Sequence, residues 1–149
     1  MIRDATADDI EVVVAVFERS FATLDFLPVL HTHEEHLVFF GRLVERAEVF
    51  VYDDGAVCGF AALDGEMLSH LYVAPEAFGR GVGSALFADA TRRRRDGFTF
   101  WVFQANVRAR RFYETRGCVP VRFTEGAGNE ELTPDVLYAW VGRARDAGL

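Results

Sequence analysis

The 149-residue chain contains no lysine: all sixteen of its basic residues are arginine. That absence excludes a Walker-type phosphate loop, whose lysine reaches the phosphates, and a lysine Schiff base with pyridoxal phosphate. Cysteine is scarce as well. Cys58 and Cys118 make no metal-type cluster and are too few for a secreted disulfide scaffold, which leaves them as small buried apolar residues. No apolar run reaches 18 residues, and the opening "MIRDATADDI" lacks the basic and hydrophobic regions of a secretory signal, so the expected setting is cytoplasmic with no membrane partner. A basic excess is missing too. The formal net charge of -7 argues against nucleic acid as a partner, because phosphates call for a basic face.

What remains is a chain of one-domain length, 1–149, with half its residues apolar. After the strand-like "IRDA", Thr6 and Asp9 resemble a capping box ahead of the helical "IEVVVAVFERSF". Pro28 interrupts the pattern, and Thr32 with Glu35 then opens a second helix, "HEEHLVFFGRLVERA". From Glu48 the periodicity changes to strands. "EVFVY", "AVCGFAAL" and "EMLSHLYV" are separated by Asp54-Gly55 and Asp64-Gly65, dipeptides that predict type I′ turns with both central residues at positive φ. Pro75 ends the last of them, and a helix follows whose Val82, Ala85, Leu86 and Ala90 share one face. Strand "FTFWVF", helix "VRARRFYETR" and strands "CVPVRFT" and "VLYAWV" complete a mixed α/β (α+β) order.

The stretch "EAFGRGVGSALF" places Gly79, Gly81 and Gly83 just before that third helix. Bare backbone ahead of a helix lets successive N–H groups close on an anion, reinforced by about half a positive charge from the helix. A turn serving only chain direction is the alternative, and the stretch alone does not separate the two. The dinucleotide fingerprint G-x-G-x-x-G fails, since Ser84 stands at its third glycine position.

The run "LYVAPEAFGRGVGSALF" resembles the acyl-CoA-binding signature of the GNAT N-acyltransferases, and "NVRARRFYETRGC" resembles that family's second motif, N-x-x-A-x-x-F-Y-x-x-x-G. The order of elements agrees over most of the chain. The resemblance implies a mostly antiparallel central sheet of about seven strands flanked by about four helices. It also implies transfer of an acetyl group from acetyl-CoA to a primary amine of a small molecule or protein, by direct attack in a ternary complex. The partners are then acetyl-CoA and the amine acceptor, with no metal, and a homodimer is left open. One position departs from the pattern: Phe78 stands where the family usually carries Gln or Arg. A catalytically silent acyl-CoA-binding regulatory module is the competing reading.

By the same resemblance, backbone of Leu71, Tyr72 and Val73 lies along the pantetheine arm. Phe78, Gly79, Arg80, Gly81, Val82, Gly83 and Ser84 surround the pyrophosphate, and Asn106 contacts the arm. Asn106 also suits a helix N-cap. Tyr113 is the expected proton donor to the CoA thiolate, a phenol of ordinary pKa about 10 holding its proton at neutral pH; packing in the core is its alternative. The oxyanion donor is expected to be a backbone N–H near Tyr72 or Val73, where the family's fourth strand commonly bulges. For the base, unbroken strand parity puts Glu66, Leu68, His70 and Tyr72 on one face, which makes Glu66 and His70 candidates beside a water chain with no dedicated base. Family analogy makes His31 and Thr32, and Asn129 and Glu130 in the loop before the last strand, candidate acceptor contacts. "HTHEEH" does not meet the H-E-x-x-H zinc spacing, and helix capping explains most of it.

Overall fold

The computed structural model describes residues 1–142. Along them run β1 (Ile2–Asp4), α1 (Ile10–Phe21), α2 (His33–Arg46), β2 (Glu48–Asp53), β3 (Val57–Asp64), β4 (Met67–Val73), α3 (Val82–Arg93), β5 (Phe98–Phe103), α4 (Val107–Glu114), β6 (Val119–Thr124) and β7 (Asp135–Trp140). Seven strands and four α-helices among the described residues give the expected mixed, mostly antiparallel α/β architecture. The chain divides into two compact units, Met1–Thr23 with His31–Arg93, and Leu24–Leu30 with the residues from Arg94 onward. No helix among the described residues is long and apolar enough to cross a membrane.

In the first unit the strands run in the order β1-β2-β3-β4, all antiparallel. Both predicted capping boxes form. The Thr6 N–H donates to Asp9 Oδ2 at 2.8 Å, opening a 3-10 turn that leads into α1. At α2 the exchange is reciprocal: Glu35 N–H donates to Thr32 Oγ1 at 3.1 Å and Thr32 N–H to Glu35 Oε1 at 2.8 Å. Val13, Val14 and Val16 of α1 and Phe40 and Leu43 of α2 then bury one sheet face with Val49, Val51, Phe60 and Ala62. α3 covers the opposite face. That is why β3 reads as a continuous apolar run rather than an alternating one: Gly59 to Leu63 are buried without a break.

Close packing of α3 depends on Gly59. A Cβ there would stand 2.8 Å from Val82 Cγ1, 3.1 Å from Leu86 Cδ1 and 3.3 Å from the Tyr72 carbonyl oxygen. The start of α3 thus rests directly on β3 backbone. At the other end of the unit, the Arg3 guanidinium grips Asp9 with two bonds of 2.9 and 3.0 Å and donates from Nε to Asp53 Oδ2 at 3.0 Å. The Arg3 bonds hold the Asp9 carboxyl down at about 2.

The two hairpin turns differ from the type I′ prediction. Among the described residues only the glycines of these dipeptides have positive φ, 109° at Gly55 and 63° at Gly65. Asp64 is still strand, so the second loop is Gly65-Glu66, with glycine at the first central position as a type II′ turn requires. In the first loop the Asp53 carboxylate accepts the Gly55 N–H at 3.0 Å, and this side-chain turn accompanies a register shift at Tyr52/Asp53.

The second unit orders its strands β5-β7-β6, again antiparallel. Tyr138 stacks on Phe100 at 5.7 Å, and Phe100 meets Tyr113 of α4 at 4.3 Å. Cys118 is buried and Cys58 half-buried, both as free thiols.

Two stability predictions follow from these contacts. Gly59→Val should destabilise by about 1–3 kcal/mol through overpacking, lowering Tm by several degrees in a thermal melt. Asp9→Asn should lower the denaturant midpoint at pH 7. A carboxyl depressed in the folded state stabilises above its unfolded pKa, so the gap to wild type should close as pH falls from 3.8 through about 2.

Candidate functional site

The glycine loop is built by two successive tight turns after β4. Pro75 opens a 3-10 turn, Pro75–Ala77, in which Ala77 N–H donates to Ala74 O at 2.8 Å and Phe78 N–H to Pro75 O at 3.2 Å. Arg80 N–H then bonds Ala77 O at 3.3 Å, and the first ladder bond of α3 runs from Ala85 N–H to Gly81 O at 3.0 Å. Gly79 and Gly81 take φ of 77° and 84°, with nothing within 4 Å of a Cβ at either position. Left-handed backbone of this kind turns consecutive N–H groups toward one side. Gly83 has no such φ; it is the second residue of α3, where the Val82, Gly83 and Ser84 amides precede the internal ladder.

Electrostatics favour an anion at this place. α3 has no acidic residue in its first turn to occupy the positive end of the helix. Arg80 is exposed between the two left-handed glycines, while Phe78 is half-buried with its N–H engaged to Pro75. The Phe78 side chain adds no polar group to the loop. Arg19 of α1 pairs with Glu76 in the 3-10 turn and so ties α1 to the chain entering the loop.

On β4, Leu71, Tyr72 and Val73 are half-buried and pair in regular register with Ala61, Phe60 and Gly59. Toward β3 the register shift lies at Ser69, where Ala62 faces His70 and Leu63 faces Leu68. Because the extra residue breaks side-chain alternation, and because Glu66 is an exposed turn residue, the predicted common face of Glu66 and His70 does not form. His70 itself is enclosed by the rings of Phe17, Phe39, Phe40 and Phe60 at 5.3 to 6.4 Å. Its Nδ1 lies 2.9 Å from Ser69 Oγ. Burial, helped by the Arg46 charge, pushes its imidazole down to about 4, which makes it a weak base at neutral pH.

The acceptor candidates are likewise tied down. Thr32 gives both its hydroxyl and its N–H to the α2 cap, and the exposed His31 has Nδ1 3.8 Å from Glu35 Oε1. What the residue pattern did not reveal is how the other two histidines of "HTHEEH" are used. His33 Nδ1 lies 2.9 Å from Glu18 Oε1 and His36 Nδ1 2.6 Å from Glu18 Oε2. Burial alone would raise the Glu18 carboxyl, but the hydrogen bonds from His36 and His33 outweigh it and hold it below its usual range. The signal available was three-residue spacing, which sets both imidazoles on one helix face. Among the described residues no group of three or more His, Cys, Asp or Glu is arranged to hold a metal ion.

In the second unit Asn106 is the N-cap of α4, its Oδ1 accepting the Ala109 N–H at 3.2 Å. Tyr113 is 8% exposed, packed on Phe100 and edge-on to Phe112 at 5.1 Å. Arg108 and Arg111 are exposed on the same helix. Asn129 organises its own loop: its amide donates to Thr133 O at 2.7 Å and Asp135 Oδ2 at 3.0 Å, and Oδ1 accepts the Thr133 N–H at 3.1 Å. Glu130 beside it is exposed. A buried hydroxyl not foreseen is that of Tyr138, which donates to Glu114 and accepts from Arg110 Nε at 3.1 Å; burial first, then Glu114, pushes its phenol up.

Comparison with known proteins bears on this arrangement. The family model described as "Acetyltransferase (GNAT) domain" matches residues 45–118, from the end of α2 to Cys118. An uncharacterized N-acetyltransferase of Archaeoglobus fulgidus is 31% identical over 134 residues, covering 77% of this chain and 90% of that protein. Among solved structures, the apo form of YjaB from Escherichia coli superposes with a TM-score of 0.77 at 27% identity, covering 96% of this chain and 98% of the other. A GNAT superfamily phosphinothricin acetyltransferase of Sinorhizobium meliloti, solved in complex with AcCoA, shares the fold at a TM-score of 0.73, 17% identity and coverage of 95% and 88%. With the glycine loop, the α4 motif and these relatives in agreement, the chain belongs to the GNAT superfamily of N-acetyltransferases.

Proposed function

We propose that the protein transfers the acetyl group of acetyl-CoA to a primary amine by direct attack in a ternary complex. The observation that carries this reading is the pair of left-handed glycines leading into an acid-free helix N-terminus, in a chain of this family. An AcCoA complex of a protein sharing the fold supports it. Backbone amides of Gly79, Gly81, Val82 and Gly83, with Ser84 and the Arg80 guanidinium, hold the pyrophosphate, and Leu71, Tyr72 and Val73 support the pantetheine arm with Asn106. The amine loses a proton and attacks the thioester carbonyl carbon. Backbone N–H near Tyr72 stabilises the oxyanion, and as the C–S bond breaks Tyr113 delivers a proton to the departing sulfur. The acceptor is an amine of a small molecule or protein.

Ligand-dependent melting separates this from other nucleotide readings. Acetyl-CoA and CoA at about 100 Kd should raise Tm by about 5 °C or more, whereas NAD and ATP should not. Gly81→Val forces a β-branched residue into left-handed backbone and should weaken acetyl-CoA binding about tenfold or more by calorimetry. Thiol release from acetyl-CoA against polyamines, amino acids, aminoglycosides and N-terminal peptides then reads turnover. Tyr113→Phe should lower it and leave CoA affinity nearly intact; unchanged turnover removes the proton-donor role. Binding of CoA without turnover on any acceptor favours the silent acyl-CoA-binding module.

A further inference from the structure

The geometry points to His36, oriented by Glu18, as the group that takes the proton from the acceptor ammonium. This assignment rests on the acetyltransferase reading above and names a part of the machinery that reading leaves open. Neither base candidate on the β4 hairpin is well made for the task. Glu66 is exposed in the turn, and His70 is held neutral down to about 4 in an aromatic enclosure.

His36 is placed differently. Its Nδ1 is 2.6 Å from the Glu18 carboxylate, so Nδ1 carries the proton and Nε2 is left as the lone-pair nitrogen. This is the arrangement by which a carboxylate fixes an imidazole in the tautomer that accepts a proton at the opposite nitrogen. Nε2 has no hydrogen-bond partner among the described residues. It is not sealed off either, since among the described residues no buried side-chain nitrogen or oxygen lacks a partner. The imidazole is 19% exposed, enough for access and little enough to hold its orientation.

Ring packing connects His36 to β4 through Phe17. His36 meets Phe17 edge-on at 5.2 Å, and Phe17 meets Tyr72 at 5.0 Å, so two ring contacts separate the imidazole from the residue assigned to the pantetheine arm. The groups facing His36 are Glu18 from α1, His33 and Glu35 from its own helix, and His31 from the preceding segment, its ring 6.2 Å away. The nearer acid and the second imidazole on the same carboxylate give the proton a route out: His33 is 59% exposed and bonded to the other Glu18 oxygen.

The steps balance as follows. Nε2 takes one proton from R-NH3+, the freed nitrogen lone pair forms the C–N bond to the thioester carbonyl carbon, and the adduct collapses with loss of the C–S bond. The second nitrogen proton reaches the departing thiolate through Tyr113, and the imidazolium returns the first to solvent.

Carbethoxylation by diethyl pyrocarbonate, followed at each of the four histidines by peptide mass spectrometry, tests the placement without knowledge of the acceptor. Acetyl-CoA at about 10 Kd should slow modification of His36 about tenfold and leave His33 nearly unchanged. Unslowed modification of His36 while acetyl-CoA raises Tm in the same sample overturns this assignment alone. Absence of any acetyl-CoA-induced melting shift overturns the acetyltransferase reading itself. With an amine that the thiol-release panel shows to be acetylated, His36→Gln should lower kcat about 100-fold or more with the acetyl-CoA KM unchanged. Glu18→Gln, a positioning change that no longer fixes the Nδ1–H tautomer, should lower kcat about tenfold with the acetyl-CoA KM unchanged. Full turnover in His36→Gln, or a kcat left unchanged by Glu18→Gln, overturns the roles assigned.

Discussion

The close approach of α3 to β3 at Gly59 is the contact from which the anion-binding features follow. Without a Cβ at that position, Val82 and Leu86 settle directly on strand backbone, and the first turn of α3 begins immediately beyond the sheet. The chain leaving β4 must then reverse within a few residues to enter that helix. Two tight turns and two left-handed glycines make the reversal, and it sets the loop backbone at the positive end of a helix dipole. The packing of α3 and the shape of the glycine loop therefore share one cause.

α1 links this loop to the opposite side of its unit through adjacent residues. Arg19 pairs with Glu76 just ahead of the glycine loop, while Glu18 holds His33 and His36 at the start of α2. Both sets of contacts arise at the last turn of α1, beyond the buried valines of the same helix. The exposed Arg19 pair is worth little to stability by itself. Its consequence is geometric: the segment that begins α2 and the turn that begins the glycine loop are both referenced to one rigid helix.

Burial separates the histidines by function. His70 lies among four phenylalanine rings, an environment that disfavours the charged imidazole and removes it from acid–base work near neutrality. His36 touches one of those rings, yet keeps a carboxylate on one nitrogen and access on the other. The same residue type is a packing element in one place and a carboxylate-bonded, partly exposed ring in the other.

Much of the fold was legible in the residues because its determinants are local. The boxes at Thr6 and Thr32 and the change of period at Glu48 depend on bonds spanning a few positions, and each appears at or within a residue or two of its predicted place. The glycine loop was legible for the same reason, since φ at Gly79 and Gly81 is a property of those residues. Three features were decided only by tertiary structure. The bulge at Ser69 comes from how β4 registers on β3, and it separates His70 from Glu66. The loop bonds of Asn129 come from where Thr133 and Asp135 return. Glu18 meets His33 and His36 only because α1 and α2 pack together over the sheet. Periodicity and capping are short-range and can be read along the chain; register, burial and the pairing of distant charges depend on which surfaces meet, and only the folded chain sets that.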